Sequence, residues 1–415
     1  MYRSLLEKEL RSSLDEATSI LDRLRREHRA RLYLDVTPLL EESWTGIPVV
    51  TSHLARQLLS RGGASTAFFI GSHLINQAHV KDALDRRTGL FLQRDHAHGK
   101  LLDSSLYDLP ADEISVGIFP SVKHPNRAFD IECSIVHDLT TITVPQFHTP
   151  ENIRYHSAIA EDLSSNDITF CISTATQTDI EVYFGSNRFE LVQAYNGVSW
   201  PDDFPVRALS EFDPLNVEPY FLILGTREPR KNIATIMDLL AVFPDVCEKY
   251  RFVIAGKVGW MSECEELPAA TLEAIEKGQI TFTGFVSEFE KYKLLLGAEA
   301  TIYPSFLEGF GLPIIESLSV GTPCIASMSS SMPEVGGDVC FYFDPFSVTD
   351  LYKVVRQVQT LAPKKNTPFV KRCKLRAAEF SWENTCLTIL RALEKKLNSA
   401  NERQHLTLET REKLA

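Results

Sequence analysis

The chain has 415 residues, of which 44% are hydrophobic and 24% charged, with a formal net charge of −12. That length is about twice what one hydrophobic core supports, so two domains are expected. The acidic balance excludes a general nucleic-acid binder, whose footprint is basic, and no apolar run approaches the ~20 residues that span a bilayer.

Residues 1–30 carry Leu5, Leu6, Leu10, Leu14, Ile20, Leu21 and Leu24 at helical spacing, with Arg23, Arg25, Arg26, Arg29 and Arg31 gathered at the end. The pattern predicts an amphipathic helix with two open uses: contact with an anionic membrane, or packing against protein, including a second copy. The start lacks the apolar core of a signal peptide. Eight cysteines are scattered singly with no Cys-x-x-Cys pair, as reduced cytosolic thiols are. A cytoplasmic protein is expected, with peripheral attachment to the inner membrane face as the variant reading.

Residues 31–205 read as a first domain. Strands are predicted at 32–36, 67–70, 116–119, 134–136 and 168–172, with a helix at 48–59. Short runs that are apolar throughout, alternating with helical patterns, argue for a parallel sheet covered on both faces. His96-Ala97-His98 has no partner ligands nearby and reads as a solvent loop. Asn196-Gly197 reads as a common turn. The stretch 199–217 holds Pro201, Pro205 and Pro214 without a period, which predicts an irregular interdomain linker. A second domain, 206–382, repeats the pattern with strands at 220–224, 252–255, 280–282, 300–303 and 323–326. The closing segment, 383–415, begins with a helical pattern that is expected to fold back over the first domain. It ends in a polar, frayed tail.

Open parallel sheets bind ligands beyond the carboxyl ends of their strands. After the strand at 300–303 comes Pro304-Ser305-Phe306-Leu307-Glu308-Gly309-Phe310-Gly311-Leu312-Pro313-Ile314-Ile315-Glu316. Gly309 and Gly311 allow backbone approaches that a Cβ forbids, and Pro313 suits the first position of a helix. Free N–H groups at that helix start favour a diphosphate. Glu316 is expected in the first turn and Glu308 on the strand side, so two carboxylates face one cavity. After the strand at 220–224, Gly225-Thr226-Arg227-Glu228-Pro229-Arg230-Lys231-Asn232 joins a glycine turn to clustered cations, a second anion site. Either Arg230 or Arg227 is the cationic partner of Lys231.

The Glu308–Glu316 string resembles the Glu-x7-Glu signature of retaining glycosyltransferases with the GT-B fold, especially glycosyltransferase family four, and the likeness is strongest from 219 to 346. It implies an α/β chain of two Rossmann-like domains whose parallel sheets face a central cleft. It also implies transfer of a sugar from a nucleoside diphosphate donor with retention at the anomeric carbon. In that scheme His137 bonds a sugar hydroxyl and Asp138 orients it. Arg230 and Lys231 stabilise the leaving diphosphate, Glu308 positions the sugar with the Gly309, Phe310, Gly311 and Leu312 backbone, and Glu316 holds the ribose. Gly46, Gly225, Thr226 and Arg227 border the donor, and Gly284, Phe285 and Val286 contact its base.

The resemblance is closest to bacterial polysaccharide mannosyl- and rhamnosyltransferases. The partners implied are GDP-mannose or a similar donor and a glycan or lipid-linked acceptor in surface polysaccharide assembly. No Asp-x-Asp occurs, so no metal and no cofactor are expected. The alternatives are another GT-B enzyme, such as an epimerase or phosphorylase, and a non-catalytic sugar-nucleotide binder.

Overall fold

The short apolar runs become the strands of two sheets. The fold is described by a computed structural model covering residues 2–414 apart from 43, 98–101, 124–125, 212–217, 258 and 260–268. The first sheet contains β1 (Ala30–Asp35), β2 (Thr66–Ile70), β3 (His73–Ile75), β4 (Leu102–Ser105), β5 (Ile114–Phe119), β6 (Ile131–Val136), β7 (Ile168–Cys171) and β8 (Leu191–Gln193), in the order β4-β3-β2-β1-β5-β6-β7-β8. The second contains β9 (Tyr220–Leu224), β10 (Arg251–Ala255), β11 (Ile280–Gly284), β12 (Ala300–Tyr303), β13 (Cys324–Ser327) and β14 (Cys340–Phe343), in the order β11-β10-β9-β12-β13-β14. All pairings are parallel except those of β3, which runs antiparallel to β2 and β4. Gly71, at φ +57°, supplies the tight reversal between β2 and β3 that an all-parallel expectation leaves out.

Burial on both faces explains why these strands read as continuous apolar runs. Along β1, Leu32 and Leu34 enter a core that includes Leu54 and Val116, while Tyr33 faces the other way onto Phe69, Phe119 and Phe129.

The N-terminal helix (Tyr2–Glu27) lies along the C-terminal helix (Trp382–Leu414). Its Ala17, Ile20, Leu21 and Leu24 are buried in the same core as Leu390, Leu393 and Leu397. Arg23 Nε donates to Glu394 at 2.6 Å, and Arg391 makes two bonds to Glu16, each 2.7 Å. Ile20, Leu21 and Leu24 of the leucine stripe therefore face protein and are closed to a membrane. Leu5, Leu6 and Leu10 lie outside the described side chains. The closing helix folds back as expected, and it runs to Leu414 where a frayed tail was expected. His96 lies in a helix (Leu90–Ala97), not a solvent loop, and His98 is outside the described residues.

The linker expectation also needs correction. Residues 204–211 form a helix (Phe204–Glu211), because Pro205 falls in its first turn, where a missing N–H costs nothing. Phe204 and Ala208 are buried with Tyr292 and Leu295 of the second domain, so this helix packs with the domain that follows it; residues 212–217 lie outside the described set.

The chain crosses between domains twice, near 197 and near 381, and the two crossings touch. The Val198 N–H donates to Phe380 O at 3.2 Å. A Cβ on Gly197 would lie 2.2 Å from Trp382 N, so this glycine serves a close approach and no turn forms there.

A second tie joins the domains at Glu334, in the short helix Met332–Gly336 of the second domain. Its carboxylate accepts from the N–H groups of Thr174 at 2.7 Å and Ala175 at 3.3 Å, at the start of the first-domain helix Thr174–Phe184. Gln193 Nε2 at 3.0 Å and the Tyr195 hydroxyl at 2.7 Å also donate to it. An anion at a helix N-terminus is favoured by both free donors and dipole. Glu334→Ala is expected to lower unfolding stability by about 1–3 kcal/mol and to raise the radius of gyration of the ligand-free protein. Denaturant titration and small-angle scattering measure the two effects, and no change in either would remove the tie.

Candidate functional site

The carboxyl ends of both sheets open onto one cleft of about 1480 Å³. The loops after β1 and β6 wall it from the first domain, and those after β9, β10, β11 and β12 from the second. Gly46, His137, Asp138, Gly225, Thr226, Phe285, Val286, Arg230, Lys231, Glu308, Gly309, Phe310, Gly311, Leu312 and Glu316 all line it. Arg227 and Gly284 do not. The Arg227 guanidinium lies over the Phe282 ring at 4.9 Å, so the cationic partner of Lys231 is Arg230. Gly284 ends β11 at φ +69°, where its role is the turn itself.

At the centre, Glu308 joins both cations. Its Oε2 accepts from Arg230 Nη1 at 2.8 Å and its Oε1 from Lys231 Nζ at 2.7 Å. Arg230 Nη2 donates to Glu228 at 2.9 Å, and Lys231 Nζ reaches the Tyr303 hydroxyl at 3.3 Å. The Glu308 carboxylate is therefore engaged by Arg230 and Lys231. Burial alone would raise its pKa, but Arg230 and Lys231 outweigh burial and hold it at about 2. The same balance raises Arg230 above its ordinary value, with Glu308, Asp138 and Glu228 overcoming desolvation. For Glu228, burial outweighs Arg230 and Lys231, and the carboxyl is shifted upward.

The two loops are fixed to one another by backbone groups. The Phe306 N–H donates to Arg230 O at 2.9 Å, and Asn232, at φ +52°, donates its amide to Pro304 O at 3.1 Å and Pro345 O at 2.9 Å. The loop 304–311 has no ladder, so its buried carbonyls need other donors. A serine run supplies them: Ser329 to Phe306 O at 2.6 Å, Ser330 to Glu308 O at 2.7 Å, and Ser331 to Glu308 O and Phe310 O at 2.9 and 2.8 Å. Sequence reasoning passed over these serines, although three in a row before a helix start was the available signal.

Gly311, at φ +111°, precedes the Leu312–Val320 helix, whose N-terminus has no side-chain cap. Pro313 is its second residue and Glu316 its fifth, one residue deeper than expected. Glu316 accepts from Lys291 Nζ at 2.5 Å, a partner that the sequence reading missed. Gly309 answers to the other domain: a Cβ there would lie 2.0 Å from His137 O and 3.0 Å from Asp138 Cβ. The Thr176 hydroxyl caps the same contact, donating to His137 O at 3.0 Å.

His137 is oriented by Pro120 O, 2.7 Å from Nε2, whereas Asp138 accepts from Thr140 N at 2.9 Å. Asp138 thus does not orient the imidazole. Burial lowers the pKa of His137 and keeps the ring neutral. For Asp138, burial is outweighed by Arg230 across the cleft, which keeps the carboxyl below its usual value.

Two substitutions test this geometry. Glu308→Gln leaves two buried cations sharing one neutral amide, so stability is expected to fall by about 1–3 kcal/mol. Affinity for a bare nucleoside diphosphate should stay equal or rise, because a neighbouring negative charge is gone; calorimetry showing weaker binding would contradict this. The stabilisation from Glu308 should be complete above the ordinary carboxyl value of 4.5 and be lost as pH falls toward about 2, since the folded pKa is the lower one. Gly309→Ala is expected to keep nucleotide affinity within about threefold while cutting sugar transfer at least about tenfold, by forcing apart His137 and the Glu308 loop. A normal transfer rate would show that the contact is dispensable.

Comparison with known proteins agrees with this architecture. Residues 211–376 match the family model described as glycosyl transferases group 1. The chain is 30% identical over 261 residues to O-antigen chain mannosyltransferase B of Escherichia coli, covering 61% of this chain and 67% of that one. It is 30% identical over 190 residues to the serotype-specific mannosyltransferase WbdA of Escherichia coli, covering 45% of this chain but only 23% of that longer protein. Among solved structures, sucrose-phosphate synthase from Thermosynechococcus elongatus superposes with a TM-score of 0.61 over 90% of this chain and 100% of that one, at 16% identity, a likeness of fold. With two Rossmann-like sheets facing one cleft and these relatives in view, the chain belongs to the group 1 glycosyltransferases of the GT-B fold.

Proposed function

We propose that the chain transfers mannose from GDP-mannose to a glycan or lipid-linked acceptor in surface polysaccharide assembly, with retention at the anomeric carbon and without a metal. The observation that carries this reading is the Arg230–Glu308–Lys231 arrangement beside an uncapped helix N-terminus, facing His137 and Asp138 across the cleft. The relatives named as mannosyltransferases favour it over an epimerase, a phosphorylase or a non-catalytic binder.

In the reaction the bond from the anomeric carbon to the diphosphate oxygen breaks, and a bond to the acceptor oxygen forms on the same face. The acceptor proton passes to the departing phosphate oxygen. Charge grows on the diphosphate as this happens, and Arg230, Lys231 and the free N–H groups before the Leu312–Val320 helix are placed to meet it. Glu316, steadied by Lys291, takes the ribose hydroxyls. Phe285, 56% exposed in the cleft with Lys257 Nζ 5.0 Å from its ring centre, offers a face for the base. Ile20, Leu21 and Leu24 of the N-terminal helix are buried and take no part in any membrane or self-association contact of that helix.

A transfer assay with GDP-mannose, set beside UDP-, ADP- and dTDP-sugars, tests the donor, and the anomeric coupling of the product tests retention. Activity should survive excess chelator. Complete loss that manganese or magnesium restores would overturn the metal-free mechanism. Lys231→Ala is expected to weaken GDP and GDP-mannose together by about tenfold or more and to slow transfer further. Normal GDP affinity in calorimetry would remove Lys231 from the diphosphate site.

A further inference from the structure

His148 follows a 3-10 turn (Pro145–Phe147) and precedes the Pro150–Tyr155 helix, which Thr149 caps. Its N–H donates to Pro145 O at 3.0 Å. The Phe147 ring stacks on Phe306 of the second domain, centroids 5.5 Å apart and planes 8° from parallel. Phe306 lies two residues before Glu308, so the position of His148 is tied to the loop that holds the diphosphate cations. The imidazole lines the cleft, yet both ring nitrogens are buried and neither has a hydrogen-bond partner. Its neighbours His137 and His156 each use a ring nitrogen on a backbone carbonyl.

A buried polar atom without a partner costs about 1–3 kcal/mol, so two on one ring in a cleft wall point to a ligand that supplies the missing bonds. Burial first, and Arg230 second, lower the pKa of this ring, which keeps it neutral. A neutral imidazole has one N–H and one lone pair to offer. A phosphate supplies only acceptors at neutral pH and already has Arg230 and Lys231. A metal needs more ligands than one, and among the described residues no cluster of His, Cys, Asp or Glu could hold one. A hydroxyl both donates and accepts, and a hexose carries several.

We propose that His148 is a sugar-binding residue of the transfer site, exchanging hydrogen bonds with a hexose hydroxyl close to Arg230 and Asp138. The proposal rests on the cleft being a mannosyl-transfer site. The hydroxyl belongs either to the donor mannose or to the acceptor, and the test separates them.

His148→Ala and His148→Asn are made in the full chain and compared with the wild type for GDP affinity, GDP-mannose hydrolysis without acceptor, and transfer. GDP affinity is expected to stay within about twofold, while His148→Ala loses at least about tenfold in turnover. His148→Asn should recover at least about threefold of that loss, because its amide keeps a donor and an acceptor. Parallel loss of hydrolysis and transfer places the hydroxyl on the donor mannose. Loss of transfer alone, with a raised KM for acceptor, places it on the acceptor. Unchanged turnover in His148→Ala overturns the proposal. So does a loss matched by weaker GDP binding and not relieved by Asn, which is the mark of a structural residue. A wild type that neither binds nor turns over GDP-mannose overturns the mannosyltransferase reading, and this proposal with it, whereas an active wild type with unaffected variants overturns only the role of His148.

Discussion

A site for a diphosphate needs cations close together. Two cations held in a protein wall, with side chains only 13% and 16% exposed, repel each other and lose hydration unless a carboxylate lies between them. Glu308 is that carboxylate. Because it must reach both Arg230 and Lys231, the loop 304–311 has to be held to about a hydrogen-bond length, and this requirement propagates outward. It accounts for the Phe306–Arg230 and Asn232–Pro304 bonds between the two loops. It also accounts for the three serines that satisfy the loop's carbonyls from the following segment.

The same loop meets the first domain. Gly309 presses on His137 and Asp138 without room for a Cβ, Phe306 stacks on Phe147, and Phe310 packs with Tyr195 and Phe380 at the chain crossings. One hydrophobic core runs from Ile20 in the first helix through Ala194 to Phe310 and Ile314 in the second domain. The Glu308 loop therefore meets His137 and Asp138 where the domains touch, while Arg230 and Lys231 belong to one domain. On the proposed reading, this arrangement separates nucleotide binding, placed in the second domain, from transfer, which draws on both.

Much of this was legible in the sequence. Fully buried parallel strands such as β1, β6 and β9 announce themselves as short apolar runs, and glycine-bounded loops after β9 and β12 mark the ligand edge. What misled were residues whose meaning depends on partners far away in sequence. Pro205 looked like a linker proline and is a helix-start proline packed with the second domain. Gly197 looked like a turn and is a point of closest approach. The leucine stripe of the first helix could face lipid or protein, and only the partner helix, more than 350 residues away by the Arg23–Glu394 pair, decides for Ile20, Leu21 and Leu24. Arg227 and Arg230 were indistinguishable by spacing, because which one faces the cleft depends on where Phe282 lies. His148 gave no signal at all, since an unpartnered ring is a property of its surroundings.

The charge balance of the centre bears on catalysis. Arg230 and Lys231 face Glu228 and Glu308, with Asp138 acting on Arg230 from across the cleft, so carboxylates already occupy the two cations before any donor arrives. Bare cations would attract the ground-state diphosphate strongly, and binding donor and transition state equally well lowers KM without raising kcat. On the proposed reading, with Glu308 already engaged, the donor diphosphate shares the cations and its ground-state attraction is moderated. As the glycosidic bond lengthens, negative charge builds on the phosphate oxygens and the balance of sharing moves from Glu308 toward the leaving group. The cations are already in place, so little reorganisation is needed at that moment. On this argument the buried carboxylate serves turnover by restraining affinity. That also explains why each cation of the centre already has a carboxylate partner, with the helix N-terminus left uncapped to supply the remaining field.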